Sequence, residues 1–421
     1  MPDTIILFED SRVPQLSPAT MARSAHTIQC GSYRLVDFAR MLGGQIQSHV
    51  RPHLRVIEKL DQGFDAFDIS EIDRGDSVMM ICSRLVPNLQ TLSTLKELHK
   101  GARQDQIVLD GNGDVAAAWI TSETVESVKS SPPASIDEWL RKTAEVTSET
   151  KFDGQVLESF SWPHDIVSMH IEHMAENLQH RIEHGNYQQR EDGVFVGDGV
   201  SVGEYPVIDT SDGPIILEDN VSVGPFCFLA GPVYAGAGTR VIEHAALKDA
   251  VSLGHTVKIG GEVEASVIEP YTNKQHHGFL GHSYLGSWIN LGAGTCNSDL
   301  KNTYGKINIQ YGDQKVATGM QFLGCIMGDY SKTAINTSIF TGKVIGVCSM
   351  MYGFVTSNVA SYVNYARTFG QTSLLPADVM VNTQKRMFDR RKVEQRACDR
   401  QLIHDMYTLS QTERQADPDL L

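Results

Sequence analysis

From Leu217 to Ile259 every sixth residue is apolar: Leu217, Val223, Leu229, Ala235, Val241, Leu247, Leu253 and Ile259. Four residues after each stands a small or β-branched residue: Val221, Cys227, Val233, Thr239, Ala245, Val251, Val257 and Val263. Neither the helical nor the strand period produces this register. A six-residue repeat of this kind predicts a parallel β-helix, in which each hexad makes one short strand and a turn. Three hexads close one triangular coil, the aliphatics stack inward as ladders, and the other positions face water. Glycine after the aliphatic, as in Val223-Gly224, Leu253-Gly254 and Ile259-Gly260, suits the tight corners. The beat begins faintly at Val196-Gly197 and Val202-Gly203 and runs cleanly to 264. It resumes at Phe279, Leu285 and Leu291, and returns from Met327 through Ile339 and Ile345 to Val355. Two segments break it, 266–278 and 296–315, and both are expected to leave the coil at a corner and build a binding face.

Upstream the pattern changes to that of a mixed α/β unit. Residues 4–8 predict a buried strand followed by an acidic turn, Glu9-Asp10, and residues 79–82 a second strand. Residues 89–98 have a helical pattern, and 107–109 and 115–120 predict a hairpin around Asp110-Gly111-Asn112-Gly113-Asp114. Ser130-Ser131-Pro132-Pro133 punctuates the chain before a helix over 136–146. A second helix, with Pro163 in its first turn, runs to about 184 and connects the two parts. Residues 377–409 are charged and helical, and Ala416-Asp417-Pro418-Asp419 reads as a frayed end. The expected organisation is an α/β domain over 1–155, a connecting helix over 156–192, a left-handed parallel β-helix over 193–360, and a helical cap and tail over 361–421.

Composition narrows the partners. A chain of 421 residues with 41% hydrophobic and 21% charged residues supports two domains with ample core. A net charge of -15 repels a phosphate backbone, so no nucleic-acid partner is expected, although a local Lys or His cluster can hold a small phosphorylated ligand. The basic run from Arg386 to Arg396 reads as a solvated helical face rather than an anion site. Seven scattered cysteines without a CxxC pair argue against a disulfide framework and a structural zinc, and fit a reducing cytoplasm. No signal peptide and no membrane span of roughly 20 apolar residues is read in the chain.

The first break in the beat reads Asn273-Lys274-Gln275-His276-His277-Gly278-Phe279. A loop histidine at a coil corner is either a general base, since imidazole titrates near neutral pH, or a solvated side chain. The second break holds Thr295-Cys296-Asn297-Ser298-Asp299, with Asn290 just before a ladder position. Asn290 either points to the coil surface or satisfies stacked backbone, and Cys296 reads as a small buried residue rather than a nucleophile. Asp110 and Asp114 can be written as magnesium ligands, but their spacing between two strands is that of a hairpin turn.

Lys274, His276, Phe279-Leu280-Gly281, Leu285-Gly286, Ile289 to Thr295 and Asn297-Ser298-Asp299 together resemble the acetyltransferase half of the bifunctional uridyltransferase/acetyltransferases that make UDP-N-acetylglucosamine. The order of residues 1 to about 390 resembles a branch of sugar nucleotidyltransferases carrying a C-terminal left-handed β-helix. The resemblance implies that His276 removes a proton from the sugar amine as it attacks acetyl-CoA, with Asn290 and Asn297 contacting sugar and acetyl group. It places the phosphate-holding side chains on Lys248 and Ser266, expected to stack one coil apart, with Lys274 in support. The family tyrosine beside the base is Phe279 here, the lysine beyond the second asparagine falls on Thr303, and the CoA-arm positions near Met320 and Ile335 do not match. In the N-terminal half Arg12, Pro18, Thr20 and Arg23 echo the nucleotide-binding pattern of the nucleotidyltransferases. The glycines of its phosphate loop are missing, and Glu9 and Asp10 would repel phosphate.

The resemblance implies a transferase using acetyl-CoA as co-substrate and a small-molecule sugar phosphate or nucleotide sugar as partner, assembled as a homotrimer. Sugar-1-phosphate nucleotidyl transfer by the N-terminal domain, with Mg needed only in that case, is one alternative. A non-catalytic trimeric scaffold or ligand sensor is the other.

Overall fold

The computed structural model describes residues 4–68, 75–130, 135–146, 156–416 and 420. The punctuating Ser131-Pro132-Pro133 and the tail Asp417-Pro418-Asp419 lie outside the described residues. Contacts divide the chain into two units: Met1–Leu16, Arg23–Ile28 and Tyr33–Trp162, and Ser17–Ala22, Gln29–Ser32 and Pro163–Leu421.

The first unit is built on a six-stranded sheet in the spatial order Asp65–Ala66, Gln45–His49, Thr4–Phe8, Val78–Cys82, Val115–Ile120, Gln106–Leu109. The first four strands are parallel. The last two form the hairpin expected around 110–114. Thr4–Phe8 and Val78–Cys82 read as continuous apolar runs because both faces of the sheet are covered. Ile5 and Leu7 pack with Phe38 and Leu95 from the helices Leu35–Leu42 and Leu89–Leu98. Ile6 and Phe8 pack on the other side with Val125, Trp139 and Leu140 from Ser122–Ser130 and Ile136–Val146.

The second unit is a stack of triangular coils joined by parallel sheets, the arrangement typical of a left-handed β-helix. One ladder runs Leu217, Ala235, Leu253, Ile268, Leu285, Met327, Ile345. A second runs Val223, Val241, Ile259, Lys274, and a third Leu229, Leu247, Val263, Leu280. Every aliphatic named in these ladders is buried, and burying such a side chain stabilises by about 1.5–3 kcal/mol. The helix Asp165–His184 lies along the first ladder's outer face, with Met174 and Leu178 against Ile216, Tyr234 and Ala250. Its buried His170 bonds the carbonyl of Ala250 at 2.9 Å. The chain ends in the helices Ala377–Arg391, Ala397–Leu409 and Gln411–Gln415.

Three sequence expectations are corrected by the register. First, residues 266–278 do not leave the coil: Val267–Ile268 and Asn273–Lys274 are strands of the stack. The corner from Ile259 to Val263 takes four residues where earlier corners take six. The next corner, from Val263 to Ile268, takes five, so the beat slips phase and continues through Ile268, Lys274 and Leu280. Second, the inward residue at the resumption is Leu280, fully enclosed, and not the half-buried Phe279. Third, the shortened corner pairs Lys248 with Glu264, so Lys248 and Ser266 do not stack on one face. The excursion from the coil is the stretch after Asn297, where Asn308–Tyr311 and Gln314–Ala317 form an antiparallel hairpin before Cys325–Met327 resumes the stack. The seven cysteines are all free. Among the described residues no helix is long and apolar enough to cross a membrane.

Candidate active site on the coil corners

Lys274 occupies a ladder position that elsewhere holds an aliphatic. Its side chain is buried, and burial pushes its pKa down to about 8. An ammonium has three donors, and Lys274 Nζ uses them on the carbonyls of Gly260 at 2.7 Å, His276 at 3.2 Å and Gly278 at 2.7 Å. The corner 275–278 is thereby clamped from inside the coil. Gly278, at φ +131°, allows the corner to lie against the carbonyl of Thr295 in the next coil, where any side chain would collide. His276 and His277 are both exposed on this clamped corner.

Asn290 sits on the second sheet between Asn273 and Lys332. Its Oδ1 accepts from Asn273 Nδ2 at 2.8 Å, which leaves its own amide NH2 available to an acceptor from outside. Asn297 behaves differently. It fills an inward position, accepts from Gly281 N at 2.8 Å, and donates to Gly281 O at 3.0 Å and Ser283 Oγ at 3.3 Å. Both ends of that amide are taken up by the coil, so Asn297 is a buried backbone clamp and not a group facing a ligand. Cys296, half-buried, accepts from the backbone N–H of Phe279 at 3.3 Å.

Lys248 lies on the third sheet between two carboxylates, 3.0 Å from Glu262 and 2.5 Å from Glu264. Those hydrogen bonds raise its pKa above the usual lysine range. An ammonium already neutralised in this way is a poor phosphate anchor. Ser266 is fully buried and donates to the carbonyl of Glu264 at 2.6 Å. The same outer face holds His282, which was not singled out in the sequence. Its Nδ1 is 2.9 Å from Asp299 Oδ2, and its ring stacks on Phe322 at 5.3 Å. The available sequence signal was spacing: Asp299 follows His282 by 17 residues, the length of that coil from Leu280 to Asn297.

Arg12 Nε is 2.7 Å from Asp114 Oδ2. Arg12 and Arg23 fall in the first unit, and Thr20, fully buried, falls in the second. Glu9 is engaged by Arg51 at 2.9 Å and by the backbone N–H of Ala25 at 3.1 Å. Arg84 is completely buried and lies 2.5 Å from Asp10, and 3.6 Å from both Asp110 and Asp114. A fixed guanidinium thus occupies the centre of the three carboxylates that could otherwise hold a divalent cation. This donor set does not fit magnesium.

The chain therefore joins an α/β unit to a β-helix built on hexapeptide repeats. Residues 5–184 match the family model described as sugar nucleotidyl transferase. The chain is similar to bifunctional GlmU: it is 33% identical over 115 residues to that of Cupriavidus pinatubonensis, covering 26% of this chain and 24% of the relative. It is 28% identical over 153 residues to the bifunctional sugar-1-phosphate nucleotidylyltransferase/acetyltransferase of Sulfurisphaera tokodaii, covering 36% of this chain and 38% of the relative. The matched stretch spans about a quarter of the length of the GlmU relatives. A crystal structure of UDP-N-acetylglucosamine acyltransferase aligns over 56% of this chain and 83% of that chain, at 13% identity and a TM-score of 0.20.

Proposed function

We propose that the β-helix catalyses CoA-dependent acyl transfer, with acetyl the expected group, onto an amino sugar, its 1-phosphate or its nucleotide. The observation that carries this reading is the corner 275–278: exposed imidazoles on a backbone held by a buried ammonium. A base must be fixed relative to its substrate to be effective. His276 takes the proton from the attacking amine. The new C–N bond forms at the thioester carbonyl, the C–S bond breaks, and the thiolate leaves as CoA. Asn290, with its Oδ1 fixed by Asn273, donates to the carbonyl oxygen as negative charge develops there. Lys274 and Asn297 are positioning residues. A trimer, typical of proteins similar in fold, would cover the exposed Ile335, Phe340 and Phe354. A cytoplasmic location fits the use of acetyl-CoA and the free cysteines.

The test is CoA release from acetyl-CoA with a panel of amino sugars and their phosphates. His276→Ala lowers kcat by about 10²-fold or more with the fold intact. An unchanged rate would remove His276 as the base. Release of CoA by no member of the panel would favour a binding or scaffold role instead.

The family match over residues 5–184 favours a second reading, nucleotidyl transfer from a nucleoside triphosphate to a sugar 1-phosphate in the first unit. The Arg84 cluster weighs against it. Pyrophosphate release from UTP or dTTP with magnesium would establish it, and no release and no nucleotide binding by calorimetry would dismiss it.

A further inference from the structure

Most of the basic run of the last helices stays in solvent, with Arg386, Arg390 and Lys392 exposed, but Arg391 is half-buried. Phe388, in the final turn of Ala377–Arg391, stacks on Trp288 at 4.3 Å, and Trp288 stacks on Tyr271 at 4.2 Å. Tyr271 and Trp288 stand at coil corners immediately before the outward-facing Asn273 and Asn290. Arg391 lies one helical turn beyond Phe388 on the same helix side. It is half-buried, and Arg240, Arg390 and Tyr271 are within its electrostatic reach. Arg240 and Lys258 are direct register partners on neighbouring strands of the second sheet, so their side chains leave the same face about 4.8 Å apart. Lys258 in turn feels Arg391, Arg240 and Arg390.

No side chain of Arg240, Lys258, Arg390 or Arg391 has a carboxylate or any other hydrogen-bond or ion-pair partner among the described residues. That is unexpected for a chain with 51 acidic against 36 basic residues. By contrast Lys248, one sheet away, is held by two glutamates. Burial, and then the neighbouring cations, depress the pKa of both Lys258 and Arg391. Four mutually repelling cations held on a coil face and a docked helix are at lower energy when an anion lies between them.

We propose that Arg240, Lys258, Arg390 and Arg391 form a binding site for a diphosphate or comparably multivalent phosphate group of a small-molecule ligand. The next outward residues along the same strand row are Asn273 and Asn290. A phosphate seated on the cations therefore has the rest of its ligand one to two coils, about 5–10 Å, from the Asn273–Asn290 pair. The site goes beyond the acyl-transfer reading, because its anion chemistry is the same whatever the coil does to the bound molecule.

The experiment is isothermal titration of the intact protein with inorganic pyrophosphate, ADP, UDP and CoA at low and at physiological salt. Saturable pyrophosphate binding that weakens with salt is expected. Lys258→Glu and Arg391→Glu each weaken it at least tenfold, while Lys248→Ala leaves it within twofold. Arg391→Gln, which removes the charge without reversing it, provides a milder variant should either reversal impair folding, and it weakens binding at least threefold. CoA binding more tightly than pyrophosphate and UDP assigns the diphosphate to the thioester co-substrate. The reverse order assigns it to a nucleotide sugar, and either order retains the site. Absence of pyrophosphate binding at low salt, or binding that Arg391→Gln and Lys258→Glu leave unchanged, overturns the proposal. Since the readout is binding and not turnover, failure of acyl transfer would leave this result unaffected.

Discussion

The two units treat charge in opposite ways. In the α/β unit, ionisable groups are closed on one another: Glu9 on Arg51, Asp10 on Arg84, and His26 on Glu58 at 2.5 Å. Arg84, His26 and Glu58 are essentially without solvent access. In the β-helix, the buried polar groups are bound to backbone, as with Lys274 and Asn297, and the groups above them stay open, as with His276 and the NH2 of Asn290. A buried ion pair that satisfies itself offers nothing to a substrate. A buried ammonium that satisfies a corner's carbonyls fixes whatever the corner carries. Similarity to nucleotidyltransferases in the first unit thus coexists with a site region closed by its own side chains.

Breaking the closed network should produce the largest effect. Arg84→Met strands Asp10 and the buried Asp110 beside an apolar side chain, while Asp114 keeps Arg12, and should destabilise the first unit by about 3–5 kcal/mol, read by urea unfolding. A wild-type midpoint would mean those carboxylates are not held by the guanidinium. Next comes Lys274→Met, which leaves three carbonyls without their donor and should cost about 2–3 kcal/mol. In the same variant kcat should fall at least tenfold with KM changed less, since the corner loses its alignment and not its ligand contacts.

Acid–base titration sharpens the contrast further. Burial pushes both Lys274 and Lys332 down to about 8, whereas an unfolded lysine titrates near ~10.4. Between those values the unfolded chain binds more protons than the folded one, so the stability of the β-helix rises with pH across that window and is flat below it. Chemical denaturation from pH 7.5 to 10 should show the rise, and Lys332→Met should reduce it. The smallest effect is expected for Lys248→Ala. Its ion pairs are partly exposed, and their loss should cost no more than about 1 kcal/mol, measured as a shift in denaturation midpoint.

Much of the architecture was legible because a hexad repeat is read directly from spacing. Leu217 to Ile259 gave the coils, and apolar runs at Ile5–Leu7 and Met79–Ile81 marked strands covered on both faces. The corners were not legible. Loss of two residues between Ile259 and Val263 shifts the phase, which made a continuing coil look interrupted and put Ser266 beside Lys248 on paper. Polar residues at ladder positions hid the beat as well, because Lys274 and Asn297 look like loop chemistry until their carbonyl and amide partners are seen. His282 and Asp299, and the placing of Arg391 within electrostatic reach of Lys258, depend on which residues stack across coils or dock from a distant helix. Neither is local in sequence.

The most direct test of where the chemistry lies measures two products from the same intact protein in parallel. With acetyl-CoA, an amino sugar 1-phosphate, UTP and magnesium present, the account predicts release of CoA, loss of that release by about 10²-fold in His276→Ala, and no pyrophosphate. Pyrophosphate released at a rate that His276→Ala does not change, with no CoA formed, would contradict it.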